Sequence, residues 1–331
     1  MSKMFRRIGR RRALEGATAG IVALGLLLWW LLPLGEAAPS GAITISTGTQ
    51  AGVYQQYAKL LRTALDKDMP DLKVTLQTSD GSQENVTRVA NGDADFTIAA
   101  ADAVETYKLQ HRPNAGHLRG VARLYDDYVQ LVVPRSSSIR TVADLRHRRV
   151  AVGGRGSGVR LIAERVAKAA GLDLEKDMKT VSTGIDGMPQ ALKDGDIDAF
   201  FWSGGLPTNH VRELSRSYPI RLVELGNLVD ALHKQGGASR YYRAAVMPAD
   251  AYPDAQEGVA VPTLAVANLL VTTDRTNPRL TEALTRTVID SRDHIGAQVH
   301  AAQLVDLRTA LYTDPLALHE GARRYYRSVK P

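Results

Sequence analysis

Residues 261–273 read VPTLAVANLLVTT, a long apolar run rich in β-forming residues. Its place in the chain decides the fold. Two separate series of alternating strand and helix signals precede it, and mostly helical pattern follows it to Tyr326. A long strand this late, after a second β/α series, returns the chain to the lobe in which it began. YVQLVVP (128–134) reads as the outgoing crossing. Two lobes joined by two crossings place a ligand between them, outside the carboxyl ends of the strands.

The first series contains AITIST (42–47), an amphipathic stretch at 53–65, and LKVTLQT (72–78). GSQENVTRVANG (81–92) reads as a short helix, ended by Gly92 in the left-handed position. ADFTIAA (94–100) is apolar enough to be buried on both faces. The second series contains RRVAVGG (148–154), a helix over 158–170, DMKTVST (177–183), a helix near 186–194 and IDAFFW (197–202). The alternation predicts α/β layers with largely parallel sheets. The expected division is lobe 1 over 42–131 plus 262–331, and lobe 2 over 132–261.

The composition narrows the function. Residues 1–40 hold six basic and two acidic residues, so they carry +4 of the net charge of +7. The remaining 291 residues carry +3, which leaves no strongly basic folded part and argues against nucleic acid as a partner. The chain has no Cys, which excludes a disulfide scaffold, Cys-ligated metal and a Cys nucleophile.

A basic leader (1–16) precedes an uncharged apolar stretch, ATAGIVALGLLLWWLLPL (17–34), and a short linker (35–41). Eighteen helical residues span roughly 27 Å, close to the core of a thin bilayer. The basic flank keeps the leader in the cytoplasm and puts the rest outside. Two readings compete. In one the helix stays as a membrane anchor, with Trp29 and Trp30 at the interface. In the other it is a signal peptide released by cleavage near Gly35 and Ala37. The expected location is the extracytoplasmic face of the cell membrane in either case.

Three strand-to-helix junctions share one chemistry. They are Gly48-Thr49-Gln50-Ala51-Gly52-Val53-Tyr54, Ser79-Asp80-Gly81-Ser82, and Arg155-Gly156-Ser157-Gly158-Val159-Arg160. Free N–H groups at a helix N-terminus attract anions, glycine admits close approach, and hydroxyls add hydrogen bonds. Each junction is also readable as a well-capped helix. Three at corresponding strand ends point to a shared anion site. Arg160 and Arg155 are candidates to neutralise a carboxylate. Asp102, after the third strand, orients a ligand amine or caps the next helix. Trp202, in the segment running on to Gly205 and Pro207, lines the cleft or packs in the core.

Other assignments fail on spacing. GGRGSGVR is not G-x-G-x-x-G, there is no P-loop, and Ser157 lacks the flanking glycines of a nucleophile elbow. The eight His residues form no tight metal-ligand spacing. No cofactor is expected.

Four segments carry a family resemblance: STGTQAGVYQQYAKLL, TSDGSQENVTRVANGDADFTIAAADAV, IRTVADLRHRRVAVGGRGSGVRLIAERV and GDIDAFFWSGGLPTNHV. In this order they resemble TAXI-type solute-binding proteins, the extracytoplasmic receptors of one class of tripartite ATP-independent periplasmic (TRAP) transporter. The resemblance implies a two-lobed, type II-like periplasmic-binding-protein fold that closes on a small carboxylate. Family ligands include amino acids such as glutamate and dicarboxylates such as 2-oxoglutarate. It implies delivery to a separate TRAP-type membrane permease, by hinge closure and not by chemistry, so no enzyme is expected. A monomer is expected.

Carried onto this chain, the family's ligand-binding positions are Thr47, Gly48, Thr49, Gly52, Val53 and Tyr54 in the first turn. The second supplies Ser79, Gly81, Ser82 and Asn85, and the strand end Asp102. The third supplies Gly156, Ser157, Gly158, Val159 and Arg160, and the aromatic segment Trp202, Gly205 and Pro207. The first turn departs from the family, which often has a richer glycine run there. Two alternatives stay open: a membrane-tethered sensor that passes closure to a partner, and an enzyme acting on a small anion.

Overall fold

The computed structural model describes residues 39–329. The leader, the apolar stretch and the linker up to residue 38 lie outside the described residues, and with them the anchor and cleavage readings. Among the described residues no helix is long and apolar enough to cross a membrane.

The first series forms β1 (Gly41–Ser46), α1 (Val53–Asp68), β2 (Leu72–Gln77), α2 (Ser82–Asn91), β3 (Phe96–Ala100) and α3 (Ala101–Leu109). In α1 the residues Tyr57, Ala58, Leu61 and Leu65 recur at helical spacing and are buried. Burying each large apolar side chain contributes about 2 kcal/mol. Tyr57 packs on Tyr125, ring centroids 6.0 Å apart. Gly92 ends α2 at φ +85°, where a Cβ would be strained.

Next comes β4 (Leu118–Pro134), and then the second series: β5 (Arg149–Ala151), α4 (Gly158–Ala169), β6 (Lys179–Val181), α5 (Met188–Lys193), β7 (Ala199–Gly204) and α6 (Asn209–Ser217). β8 (Ile220–Val223), α7 (Val229–Lys234) and β9 (Arg243–Met247) lead to β10 (Val261–Thr273). The chain ends with α8 (Pro278–Asp290) and α9 (Glu320–Val329).

The two crossings are β4 and β10, antiparallel to one another, with pairs from Ala265–Tyr128 to Thr273–Leu118. Each strand serves the cores of both lobes, and Leu118, Leu269 and Val271 join a third cluster with Val86, Val89 and Val104. β4 gives Val121, Ala122, Leu124 and Tyr125 to the core that holds Ile45, Leu61 and Phe96. It then gives Val129, Leu131, Val132 and Val133 to the core that holds Ile162, Phe200 and Phe201. β10 likewise supplies Leu270 to the first and Leu264 and Val266 to the second. The molecule is therefore two-lobed, and the exchange falls at 126–128 on β4 and 267–268 on β10.

Three expectations need correction. The sheet is mixed, not largely parallel. β1 runs parallel to β2 and β3, and β5 to β6 and β7, but β10 is antiparallel to β3, β4 and β9. Long crossing strands must run against their neighbours in at least one lobe. The outgoing crossing is also ten residues longer than its apolar part, because charged Arg119, Arg123, Asp126 and Asp127 interrupt the pattern. The C-terminal part is not mostly helix: much of residues 297–319 is turns and short 3-10 helix between α8 and α9. Gly321 lets α9 reach α8, since a Cβ there would lie 2.0 Å from the Pro278 carbonyl oxygen.

Candidate functional site

The glycine turns of the two lobes face one another. Gly81 stands at φ +132°, and a Cβ on it would meet Ser157 Cα at 3.4 Å. A Cβ on Gly158 would meet Ser82 Oγ at 3.1 Å. Backbone bonds join the lobes at this point. Gln83 N and Glu84 N both donate to the Gly156 carbonyl at 3.1 Å, and Gln83 Nε2 donates to the Ser157 carbonyl at 2.7 Å. Two of the first-turn amides of α2 are thus engaged by the opposite lobe and are not open to an anion.

Behind this seam lies a cavity of about 60 Å³. One water takes roughly 10–15 Å³ of such space, so the cavity has room for a few heavy atoms. From the first turn it is lined by Gly48, Thr49, Gly52, Val53 and Tyr54, and from the second by Gly81 and Ser82. Ser157, Gly158, Val159 and Trp202 line it from the other lobe. Gly158 and Val159 open α4, and their amides have no acceptor within the helix. Ser157 caps that helix, its Oγ accepting from Arg160 N at 3.1 Å.

The other residues singled out in the sequence are placed elsewhere. Thr47 Oγ1 donates to Gln55 Oε1 and lies under the first turn. Asn85 is fully buried: its Nδ2 donates to the Thr47 and Ile98 carbonyls, and its Oδ1 accepts from Ser79 Oγ at 2.7 Å. Ser79 and Asn85 therefore hold the turns in place. Gly156 forms the interlobe seam. The Arg160 side chain pairs with Glu175 and, at 3.7 Å, with Glu164. Asp102 faces Arg165 at 2.7 Å and accepts from Tyr242 Oη at 2.6 Å. Gly205 and Pro207 line a neighbouring cavity that shares Val53.

Sequence reading missed the residue that dominates the electrostatics. Asp127, in β4 where the strand changes cores, lines the cavity and is 4% exposed. Its Oδ1 is buried with no hydrogen-bond partner in the protein. Burial pushes its carboxyl up to about 7, with Asn268 opposing the rise. Asn268 Oδ1 accepts from Tyr54 Oη at 2.5 Å, while its Nδ2 is buried without an acceptor. Tyr54 has one proton, given to Asn268, so Ser82 Oγ donates to Tyr54 across their 3.0 Å contact. Burial, and next the Asp127 charge, hold the Tyr54 phenol well above its ordinary value, so it stays protonated. The available signal was an acid pair, Asp126-Asp127, immediately before an apolar strand.

The lining contains two acids, Asp80 and Asp127, and no Lys, Arg or His. A wholly anionic solute would find only amides and hydroxyls here. A solute that brings a positive group as well finds Asp127. Among the described residues there is no group of acids and His arranged to hold a metal ion.

The NMT1-like family profile matches residues 45–329. The chain belongs to the NMT1-like family. This NMT1-like chain is also similar in fold to several solved structures. The alkanesulfonate-binding protein SsuA from Xanthomonas axonopodis pv. citri, bound to MOPS, is 16% identical with a TM-score of 0.50, over 89% of this chain and 86% of that one. A protein of Bordetella bronchiseptica RB50 is 17% identical with a TM-score of 0.52, over 88% and 90%. A putative L-cystine ABC transporter protein from Listeria monocytogenes is 14% identical with a TM-score of 0.51, over 80% and 98%. At such identities the likeness is one of fold, the two-lobed periplasmic-binding-protein architecture.

Proposed function

We propose that this protein is an extracytoplasmic solute-binding protein that captures a small amine-bearing carboxylate by hinge closure and passes it to a membrane permease. One observation carries the reading: Asp127, whose Oδ1 is buried with no partner in the protein, lines the same cavity as the first turn of α4 with its free amides, and both lobes close that cavity. An ammonium group answers the acid, and a carboxylate answers the amides. An amino acid has both in a few heavy atoms. Among the small carboxylates of the family resemblance, this arrangement favours amino acids over dicarboxylates and keto acids.

The lobes are taken as 42–131 with 262–331 and as 132–261, pivoting where β4 and β10 change cores. The solute contacts both lobes only in the closed state, so binding draws the equilibrium to that state. The lining presents no His and offers no base with a paired nucleophile, which supports a receptor over an enzyme. The motif resemblance to TAXI-type receptors points to a TRAP permease as partner. The apolar stretch at 17–34 supports presentation at the membrane, tethered or released.

The test is calorimetric titration of the full chain with amino acids, dicarboxylates, keto acids and phosphate esters. Saturable binding of an unchanged amino acid near micromolar Kd, about −8 kcal/mol, is expected. Turnover of the ligand, or binding confined to phosphate esters, would overturn the reading.

A further inference from the structure

The solute cavity is apolar over part of its lining. Ala100, Val159, Ile162 and Trp202 supply that part, and all four are buried. The Trp202 indole is held in place: its Nε1 donates to Thr208 Oγ1 at 3.0 Å, and a Cβ on Gly204 would lie only 2.6 Å from that nitrogen. With about 60 Å³ of free space, the cavity admits about four to six non-hydrogen atoms. Glycine and alanine have that size. Leucine and glutamate exceed it.

A charged side chain on the solute is opposed as well. The lining holds Asp80 and Asp127 and no Lys, Arg or His. The two arginines of α4 are committed elsewhere, Arg160 to Glu175 and Arg165 to Asp102. A second carboxylate on the solute would leave water beside two acids, with no positive partner, which is costly.

The limit on size falls at one side chain. A larger cavity, of about 320 Å³, lies beside the first, and Val53 alone lines both. On either side of this contact the chain passes from one lining to the other. Gly52 and Gly204 line the first cavity, and their neighbours Ala51 and Gly205 line the second. Val53, at the start of α1, thus stands between room for a few atoms and a space several times larger.

We infer that the solute is a small neutral amino acid, of the size of glycine or alanine, and that Val53 sets this limit by closing the cavity toward its neighbour. The inference rests on the amino-acid reading proposed above and adds the side chain to it.

The test is calorimetric titration of the full chain with glycine, alanine, valine, leucine and glutamate, and with the keto acids of the last four. The wild type is expected to bind glycine or alanine most tightly and valine at least about tenfold more weakly, as a pocket without room for added carbons does. Val53→Ala removes two methyl groups from the dividing wall. It is expected to raise the valine-to-alanine affinity ratio at least about tenfold, a gain that misfolding cannot mimic. Val53→Thr keeps the shape and is expected to keep the wild-type order. Leucine or glutamate binding more tightly than alanine, while still outdoing its own keto acid, overturns this inference and leaves the amine reading standing. An unchanged ratio in Val53→Ala, or the same change in Val53→Thr, overturns Val53 as the limit. Alanine binding no more tightly than pyruvate overturns the amine reading, and this inference with it.

Discussion

Arg165 Nη1 lies 2.7 Å from Asp102 Oδ2, joining α4 of one lobe to α3 of the other. Tyr242 Oη donates to the same oxygen, and Arg165 Nη2 donates to Thr106 Oγ1. Asp102 is fully buried, so removing its partner strands a charge away from water. Arg165→Met should cost about 3–5 kcal/mol of stability in urea unfolding, and Arg165→Met with Asp102→Leu should recover most of that loss. A single-variant loss under about 1 kcal/mol would show that the pair is not a buried ion pair in solution.

One methyl group tests how much the seam depends on Asp80. A Cβ on Gly154 would lie 2.7 Å from Asp80 Cγ, across the seam. Asp80 is exposed and can turn its carboxylate aside, giving up the bond it accepts from Gly156 N at 3.2 Å. Gly154→Ala should therefore weaken solute binding by about tenfold or less, the worth of one such bond, and Asp80→Ala should weaken it as much, both read by calorimetric titration. A much larger loss in Gly154→Ala alone would show that the methyl obstructs closure by another contact.

Asp127 makes stability and binding depend on pH in opposite senses. Its folded value of about 7 stands above the ordinary 3.8. The fold favours the neutral acid, so this contribution is complete below the unfolded value and is lost as pH rises through about 7. In the free protein the difference amounts to at most about 4 kcal/mol. Unfolding free energies of wild type and Asp127→Asn, compared from pH 4 to pH 8, should diverge in that direction. An ammonium ligand needs the charged acid, so its affinity should increase as pH rises through 7, with proton release seen in buffers of different ionisation heat. A flat pH profile would remove Asp127 from the site.

Ser157 ties the second lobe's turn together. Its Oγ accepts from Arg160 N and donates to the Gly154 carbonyl at 2.7 Å. Ser157→Ala should lower stability by about 1 kcal/mol, the usual loss for a helix cap, read by urea unfolding. Ser157→Asp should retain the cap but place a negative charge beside the anion-seeking amides, weakening solute binding more than stability.

The lobes and crossings were legible because burial leaves a periodic trace. VPTLAVANLLVTT spans β10 from end to end, and ADFTIAA contains the fully buried β3. The glycine turns were legible because they work through backbone geometry, which glycine and serine announce locally. The first half of β4 was hidden by charges whose partners lie far along the chain. Arg119 pairs with Asp274, and Asp126 with Arg243 as well as nearby Arg123. Asp102 and Arg160 looked like ligand groups for the same reason. Each bears a charge near a turn, and only the fold brings up Arg165 to one and Glu175 to the other. Asp127 was passed over because the strand was read as starting one residue later, at Tyr128, although an acid inside a buried crossing strand is the stronger signal.

The central claim is that the closed cavity holds a solute with an amine on Asp127. Amino acids and their 2-keto analogues differ at that group, as in alanine and pyruvate, or glycine and glyoxylate, pairs small enough for a cavity of about 60 Å³. The most direct measurement is calorimetric affinity for such matched pairs, in wild type and Asp127→Asn. The account predicts that the binding pair favours the amino acid by at least about tenfold and that Asp127→Asn removes the preference. Equal or tighter binding of the keto acid by the wild type would contradict it.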